Sequence, residues 1–200
     1  MAKVTTCREA IVNFEKSKSV VATEVEKVEL NACCPPIERL DAVLGTLKNC
    51  KHLALSSNNI DKISSLAGLD KLEILSIGRN LLKKIENLDP VAATLTQLWI
   101  SYNQIDKLMG VEKLNNLAVL YASNNKISSF DDIAALPKLT ELKELLLAGN
   151  PLFKEYADKG ETAQYRIEVL RRIPQLQKLD GAPVTPAERE AVKAAGIIKT

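Results

Sequence analysis

Histidine and clustered cysteine are nearly missing from this chain. It has one His, and its four Cys (Cys7, Cys33, Cys34 and Cys50) show no Cys-x-x-Cys spacing. That leaves little material for a metal site. Charge of one sign is missing as well. Lys plus Arg number 27, Asp plus Glu 25, and the net charge is +2. A strongly basic polyanion binder is thereby excluded as the first reading. No apolar run approaches the roughly 18 residues needed to cross a bilayer, so no membrane role is expected. The opening stretch from Met1 to Glu9 has no apolar signal core, so the thiols are expected to be reduced in a cytosolic setting.

Aromatic residues are few, with 3 Phe and 1 Trp, whereas Leu occurs 29 times and Asn 13 times. Such a bias calls for a search for repeats. Aligned on Asn, five segments share Leu-x-x-Leu-x-Leu-x-x-Asn. They run from Cys50 to Asn58, Leu72 to Asn80, Leu95 to Asn103, Leu117 to Asn125 and Leu142 to Asn150. The Asn spacings are 22, 23, 22 and 25 residues. The segment from Val25 to Cys33 is a degenerate first copy, with Cys in the Asn slot. The chain is therefore read as a leucine-rich repeat solenoid.

Each slot has a physical reason. The x-Leu-x-Leu stretch is a short strand whose side chains alternate between faces. Leu53 and Leu55, and their equivalents in later copies, point inward. Asn58, Asn80, Asn103, Asn125 and Asn150 carry two donors and an acceptor for backbone groups left over at the turn. They are expected to form a structural ladder. A second apolar rhythm follows each Asn, as in Ile60, Ile63, Leu66 and Leu69. Steps of three to four residues fit helical or 3₁₀ turns packed on the sheet. The longer copy after Asn125 is expected to carry a fuller helix near 130–136. The fold class is α/β: a concave parallel β-sheet, short helices on the convex side and helical caps at both ends.

The expected divisions are an N-terminal capping helix in 1–24, about six repeats in 25–157, a C-terminal repeat cap in 158–184 and a tail helix in 185–200. Residues 6–18 have Ala10, Ile11 and Phe14 on one side. A helix from Thr162, taken as its N-cap, ends at Pro174. Leu176 to Gly181 then starts an edge strand. Thr185, Pro186 and Glu188 make a helix start at N-cap, N1 and N3, and Gly196 suits its end. This last helix either projects as a solvated tail or folds back on the sheet.

No catalytic constellation is present. His52 sits at an outward slot with no acid or thiol placed beside it by sequence. The glycines fit neither Gly-x-Gly-x-x-Gly nor a P-loop. No enzyme activity, cofactor or metal is expected. The informative positions are the outward strand slots. They hold His52 and Ala54, Ile74 and Ser76, Gln97 and Trp99, Val119 and Tyr121, and Glu144 and Leu146. With strands about 4.8 Å apart, Ile74, Trp99, Val119, Tyr121 and Leu146 are expected to form one contiguous apolar band. A patch of that kind with Trp and Tyr marks a protein partner, unless the tail helix or a second copy covers it. Nucleic acid is the weaker rival, because six basic and five acidic residues mix between Lys154 and Asp180.

The 22-residue repeat with Ile after Asn resembles the leucine-rich repeat subfamily typified by a regulatory subunit of protein phosphatase 1. The stretch from Tyr165 to Gly181 resembles that subfamily's C-terminal cap. More specific strings are Pro35-Pro36-Ile37-Glu38, Leu75-Ser-Ile-Gly-Arg-Asn80 and Leu98-Trp-Ile-Ser-Tyr-Asn103. With Leu120-Tyr-Ala-Ser-Asn-Asn125 and Leu179-Asp-Gly-Ala-Pro-Val184, they resemble the light chains of axonemal outer-arm dynein, from the start of the chain to about Val184. The resemblance implies a non-catalytic subunit, monomeric on its own, in the cytoskeleton of a cilium or flagellum. It implies binding to a dynein heavy chain at the microtubule-binding region of the stalk, close to tubulin, and regulation of beating. From the family's contact surface only the apolar sheet face is carried over, onto Ile74, Trp99, Val119, Tyr121 and Leu146. The family's C-terminal helix is implicated in tuning the motor. Arg189 and Lys193 stand in that place here without a residue-by-residue match. The alternative is a regulatory or scaffolding subunit of a phosphatase or other complex.

Overall fold

The computed structural model describes residues 4–64 and 66–196. The first three residues of the 1–24 segment and the last four of 185–200 lie outside the described residues. Strands β1 (Lys27–Glu29), β2 (His52–Ala54), β3 (Ile74–Ser76), β4 (Gln97–Trp99), β5 (Val119–Tyr121) and β6 (Glu144–Leu146) pair in parallel and in sequence order. β7 (Lys178–Leu179) adds in parallel, and β8 (Ala182–Pro183) closes the sheet as an antiparallel hairpin partner. The chain is a leucine-rich repeat solenoid of α/β class, with the sheet on its concave face.

Each of β1–β6 is only three residues long because the chain turns at once into the next layer. The residue before each Asn adopts a left-handed conformation: Ser57, Arg79, Tyr102, Asn124 and Gly149. For a non-glycine residue that costs roughly 1 kcal/mol. The cost is offset by a bond from its N–H to the neighbouring repeat, as from Tyr102 to Ser123 O at 2.9 Å. At Gly149, with φ at +80°, a Cβ would lie 2.4 Å from Asn124 Oδ1, so a side chain there would be strained and would displace Asn124.

The Asn side chains stitch the layers together. Asn103 Oδ1 accepts from Leu82 N at 3.0 Å. Its Nδ2 donates to Ile100 O of its own repeat at 3.0 Å and to Ile77 O of the preceding one at 3.1 Å. Asn58, Asn80, Asn125 and Asn150 make the same bridges, and all five are buried. The inward Leu53, Leu75, Leu98, Leu120 and Leu145 have no exposed surface.

The convex segments are short 3₁₀ turns, at Ala42–Thr46, Asp89–Val91, Phe130–Ile133 and Leu136–Lys138. The fuller helix expected near 130–136 is thus two 3₁₀ turns. Asp132 explains the first of them. Its carboxylate accepts Ser128 N and Ser129 N, both at 2.9 Å, and so closes a tight cap.

Helix α1 (Cys7–Lys18) starts with a Thr6–Glu9 capping box and buries Cys7, Ala10, Ile11 and Phe14. At the other end, Asn150 and Pro151 open α2 (Pro151–Asp158), which the repeat pattern alone does not announce. α3 (Thr162–Arg172) follows, with Glu161 at its N-cap and no side-chain cap bond. Thr162 is therefore the first helical residue and not the cap. Tyr165 on α3 is fully buried, and its hydroxyl donates to Asp180 Oδ2 at 3.0 Å. Asp180 Oδ1 accepts Leu147 N at 2.6 Å and Ala148 N at 2.7 Å, satisfying the last full strand. Burial raises the Asp180 carboxyl against these bonds, and burial beside that carboxylate pushes the Tyr165 phenol well above its ordinary value.

α4 (Pro186–Ala195) is capped by a Thr185–Glu188 box and ends at Gly196. Of the two readings left open for it, the solvated tail is overturned. Arg166 on α3 clasps the Glu188 carboxylate and also donates to Leu179 O at 2.7 Å. Arg171 donates to Gly196 O at 2.8 Å, and Val192 is buried. Val192 is the one buried side chain of this helix, and charged side chains complete its docking.

Candidate functional site

The strand register sorts the outward side chains into two rows. One row runs Lys27, His52, Ile74, Gln97, Val119, Glu144 and Lys178. The other runs Glu29, Ala54, Ser76, Trp99, Tyr121 and Leu146. The expected single band is therefore corrected. Trp99, Tyr121 and Leu146 are consecutive neighbours in one row. Ile74 and Val119 belong to the other, separated there by Gln97.

Their exposure also differs from the expectation. Ile74, Trp99, Val119, Tyr121 and Leu146 are all half-buried, without any partner chain. For Trp99 and Tyr121 the reason is that the two rings lean on one another. The Trp99 and Tyr121 rings stack with centroids 5.7 Å apart at 27°. His52 meets Trp99 edge-on at 5.5 Å. The two rings present one broad, preformed surface with little rotamer freedom left to lose on binding.

Polar residues of the first row fix that surface. Trp99 Nε1 donates to Gln97 Oε1 at 3.2 Å. Tyr121 OH donates to Glu144 Oε1 at 2.9 Å, and the same oxygen accepts from Lys178 Nζ at 2.9 Å. Burial and then the Glu144 carboxylate raise the Tyr121 phenol, so it stays a neutral donor. Gln97, Glu144 and Lys178 are thus supporting residues that sequence reasoning did not single out. Their outward slots were legible, but the side-chain bonds that make them supports were not.

The sheet face becomes polar towards β1. Lys27 and Glu29 pair at 2.8 Å, and Lys18 reaches Glu29 at 3.7 Å. His52 stands at that boundary. Burial, and then the Lys27 charge, lower its pKa, so the imidazole is neutral near pH 7. Its Nε2 is enclosed and has no hydrogen-bond partner among the described residues.

At the C-terminal end, Arg189 donates to the carbonyls of Pro174 and Leu176. Its guanidinium therefore anchors α4 to the chain's own backbone. Lys193 is exposed and pairs with Glu190 at 2.7 Å. Arg171 and Arg172 both pair with Glu168, so the arginines near the cap build no free basic stripe. Among the described residues, no three His, Cys, Asp or Glu side chains converge to hold a metal. Among the described residues no helix is long and apolar enough to cross a membrane.

Residues 48–90 match the family model described as leucine-rich repeats in two copies. Among solved structures, the chain resembles an internalin (inlF) from Listeria monocytogenes. The TM-score is 0.61 and the identity 25%, covering 87% of this chain and 47% of that one. It also resembles a chain of the Drosophila melanogaster SNF/U2A' complex. There the TM-score is 0.54 and the identity 21%, over 84% of this chain and 79% of that one, a likeness of fold alone. Among curated relatives, it is 62% identical over 195 residues to "Dynein axonemal light chain 1" of Chlamydomonas reinhardtii, covering 98% of each. The Danio rerio and Homo sapiens proteins of that name are 44% and 41% identical, each over 95% of this chain and over 97% and 98% of their own length. The chain belongs to the axonemal dynein light chain 1 family, a family built on leucine-rich repeats.

Proposed function

We propose that the chain is a non-catalytic light chain of outer-arm dynein in the axoneme of a cilium or flagellum. Its concave sheet face docks on a dynein heavy chain, near the microtubule-binding region of the stalk. There it regulates how the motor engages the microtubule. The observation that carries this reading is the Trp99–Tyr121–Leu146 row, a rigid aromatic surface held by Gln97 and Glu144. Aromatic anchors in a preorganised patch are the residues that carry most binding energy in protein interfaces. The polar rim at Lys27, Glu29 and Lys178 fits the border of such an interface. Ile74 and Val119 extend the contact on the second row. Lys193 remains open to a partner on the exposed side of α4, whereas Arg189 serves that role only by holding the helix in place.

The test is a pull-down from salt-extracted axonemes, using the wild-type chain and a Trp99→Ala/Tyr121→Ala variant checked for folding by circular dichroism. A dynein heavy chain retained by the wild type and lost by the folded variant supports the reading. Equal retention moves the docking site off the sheet face. Retention of a phosphatase and no heavy chain by the wild type favours the regulatory-subunit alternative.

A further inference from the structure

The slot before each ladder Asn carries two side chains that its backbone does not favour. Ser57 N donates to Gly78 O at 3.0 Å, Arg79 N to Ser101 O at 2.9 Å, Tyr102 N to Ser123 O at 2.9 Å and Asn124 N to Ala148 O at 3.0 Å. These four residues therefore occupy one slot in successive layers, each with positive φ. Gly and Asn, as at Gly149 and Asn124, suit that conformation, whereas Arg and Tyr gain nothing from it. Arg79 leans over the next layer, its guanidinium carbon 4.2 Å from the Tyr102 ring centroid. Because the layer bonds fix both backbones, the pair is preorganised.

This pair is open and its charge is unanswered. Arg79 is exposed, Tyr102 is 47% exposed, and Leu81, two residues after Arg79, is 41% exposed. Among the described residues the Arg79 guanidinium has the Tyr102 ring as a partner but no ion pair or hydrogen bond. From the Trp99 row to the residue after each Asn, the five layers span 54–59, 76–81, 99–104, 121–126 and 146–151. Those segments contain two charged residues, Arg79 and Lys126, and no carboxylate. Acids follow at Asp61 and Asp106, beyond the buried Ile60 and Ile105. The slot between Arg79–Tyr102 and Trp99–Tyr121 holds Gly78, Ser101 and Ser123, too small to wall one pair off from the other.

We propose that Arg79 anchors an Asp or Glu side chain of the heavy-chain segment that docks on the sheet face. The inference rests on the docking proposed above and adds the chemistry of the occupant. A partner that lies on Trp99 and Tyr121 and reaches Tyr102 takes water away from the guanidinium. Left unpaired, that charge is costly to bury. A guanidinium held on a ring keeps N–H donors for two parallel bonds to a carboxylate, which offset the cost. Tyr102 and Leu81 then shield the ion pair from water, which strengthens it.

The test is the affinity of the full-length chain for purified outer-arm dynein heavy chain, read by surface plasmon resonance at low and high salt. Arg79→Gln removes the charge, and Arg79→Lys keeps it without the fork. Lys71→Gln, at the other end of a strand, makes the same change in net charge. Circular dichroism checks that each variant folds. Arg79→Gln should bind at least about ten-fold more weakly at low salt, with the gap narrowing at high salt. Arg79→Lys should recover only part of that loss, and Lys71→Gln should lose less than about three-fold. Wild-type affinity in Arg79→Gln overturns the proposal, and an equal loss in Lys71→Gln overturns it by showing a net-charge effect. A difference that disappears when the heavy chain is treated with a phosphatase overturns it in favour of a phosphoryl group. Binding lost in Trp99→Ala/Tyr121→Ala but kept in Arg79→Gln defeats the anchor alone. No binding by the wild type, or full binding by the folded double variant, defeats the sheet-face reading and the anchor with it.

Discussion

Glu188 of α4 is gripped by Arg166 of α3 while the same carboxylate closes the Thr185 capping box, accepting Thr185 N at 2.7 Å. One side chain thus both starts the last helix and ties it to the repeat cap. Arg166 first, with the Thr185 bonds, lowers the Glu188 pKa from 4.5 to about 2. Because the folded value lies below the ordinary one, the stabilisation is fully present above about pH 4.5. It is lost as the pH falls towards 2. Hydrogen exchange of residues 186–195 should therefore accelerate between those values while the central strands stay protected. Glu188→Gln should give the same local opening at pH 7, a loss of about 1–2 kcal/mol. Unchanged exchange in that variant would separate the clasp from helix docking.

The Asn ladder makes a larger prediction. Asn103→Ala leaves Leu82 N, Ile77 O and Ile100 O without a side-chain partner inside the solenoid. At roughly 1–3 kcal/mol for each unpaired buried group, the total loss should be at least about 3 kcal/mol in urea unfolding. Asn103→Asp keeps the acceptor and loses both donors. It should still cost more than 1 kcal/mol.

Thiol chemistry should follow burial. Cys34 is exposed and Cys33 half-buried, whereas Cys7 and Cys50 are enclosed. Burial pushes the Cys7 and Cys50 thiols from 9.0 to about 11. A thiol-specific reagent at pH 8 should label Cys34 first and reach Cys7 and Cys50 only on unfolding. The raised folded values mean that their contribution is complete below pH 9. It is lost as the pH rises towards 11, so the urea midpoint should fall over that range.

The architecture was legible because a repeat multiplies a weak signal. The Leu53/Leu55 alternation and Asn58 would be ambiguous alone, but five copies in register decide strand, face and turn. Thr185 announced its helix because capping is local chemistry. What could not be read depends on contacts between layers. The Trp99–Tyr121 stack and the split of the apolar band come from parallel register. The docking of α4 comes from the Arg166–Glu188 clasp, 22 positions apart. α2 went unread because the repeat pattern does not announce it, although Leu152, Phe153 and Tyr156 pack on the core.

The central claim concerns the Trp99–Tyr121 surface. Its most direct test is the affinity of the purified chain for purified outer-arm dynein heavy chain, measured by surface plasmon resonance. Two aromatic anchors worth about 2 kcal/mol apiece predict a loss of about 1000-fold for Trp99→Ala/Tyr121→Ala. Tyr121→Phe keeps the ring and loses only the Glu144 bond, so it should cost less than about ten-fold. Wild-type affinity in the folded double variant would contradict the account.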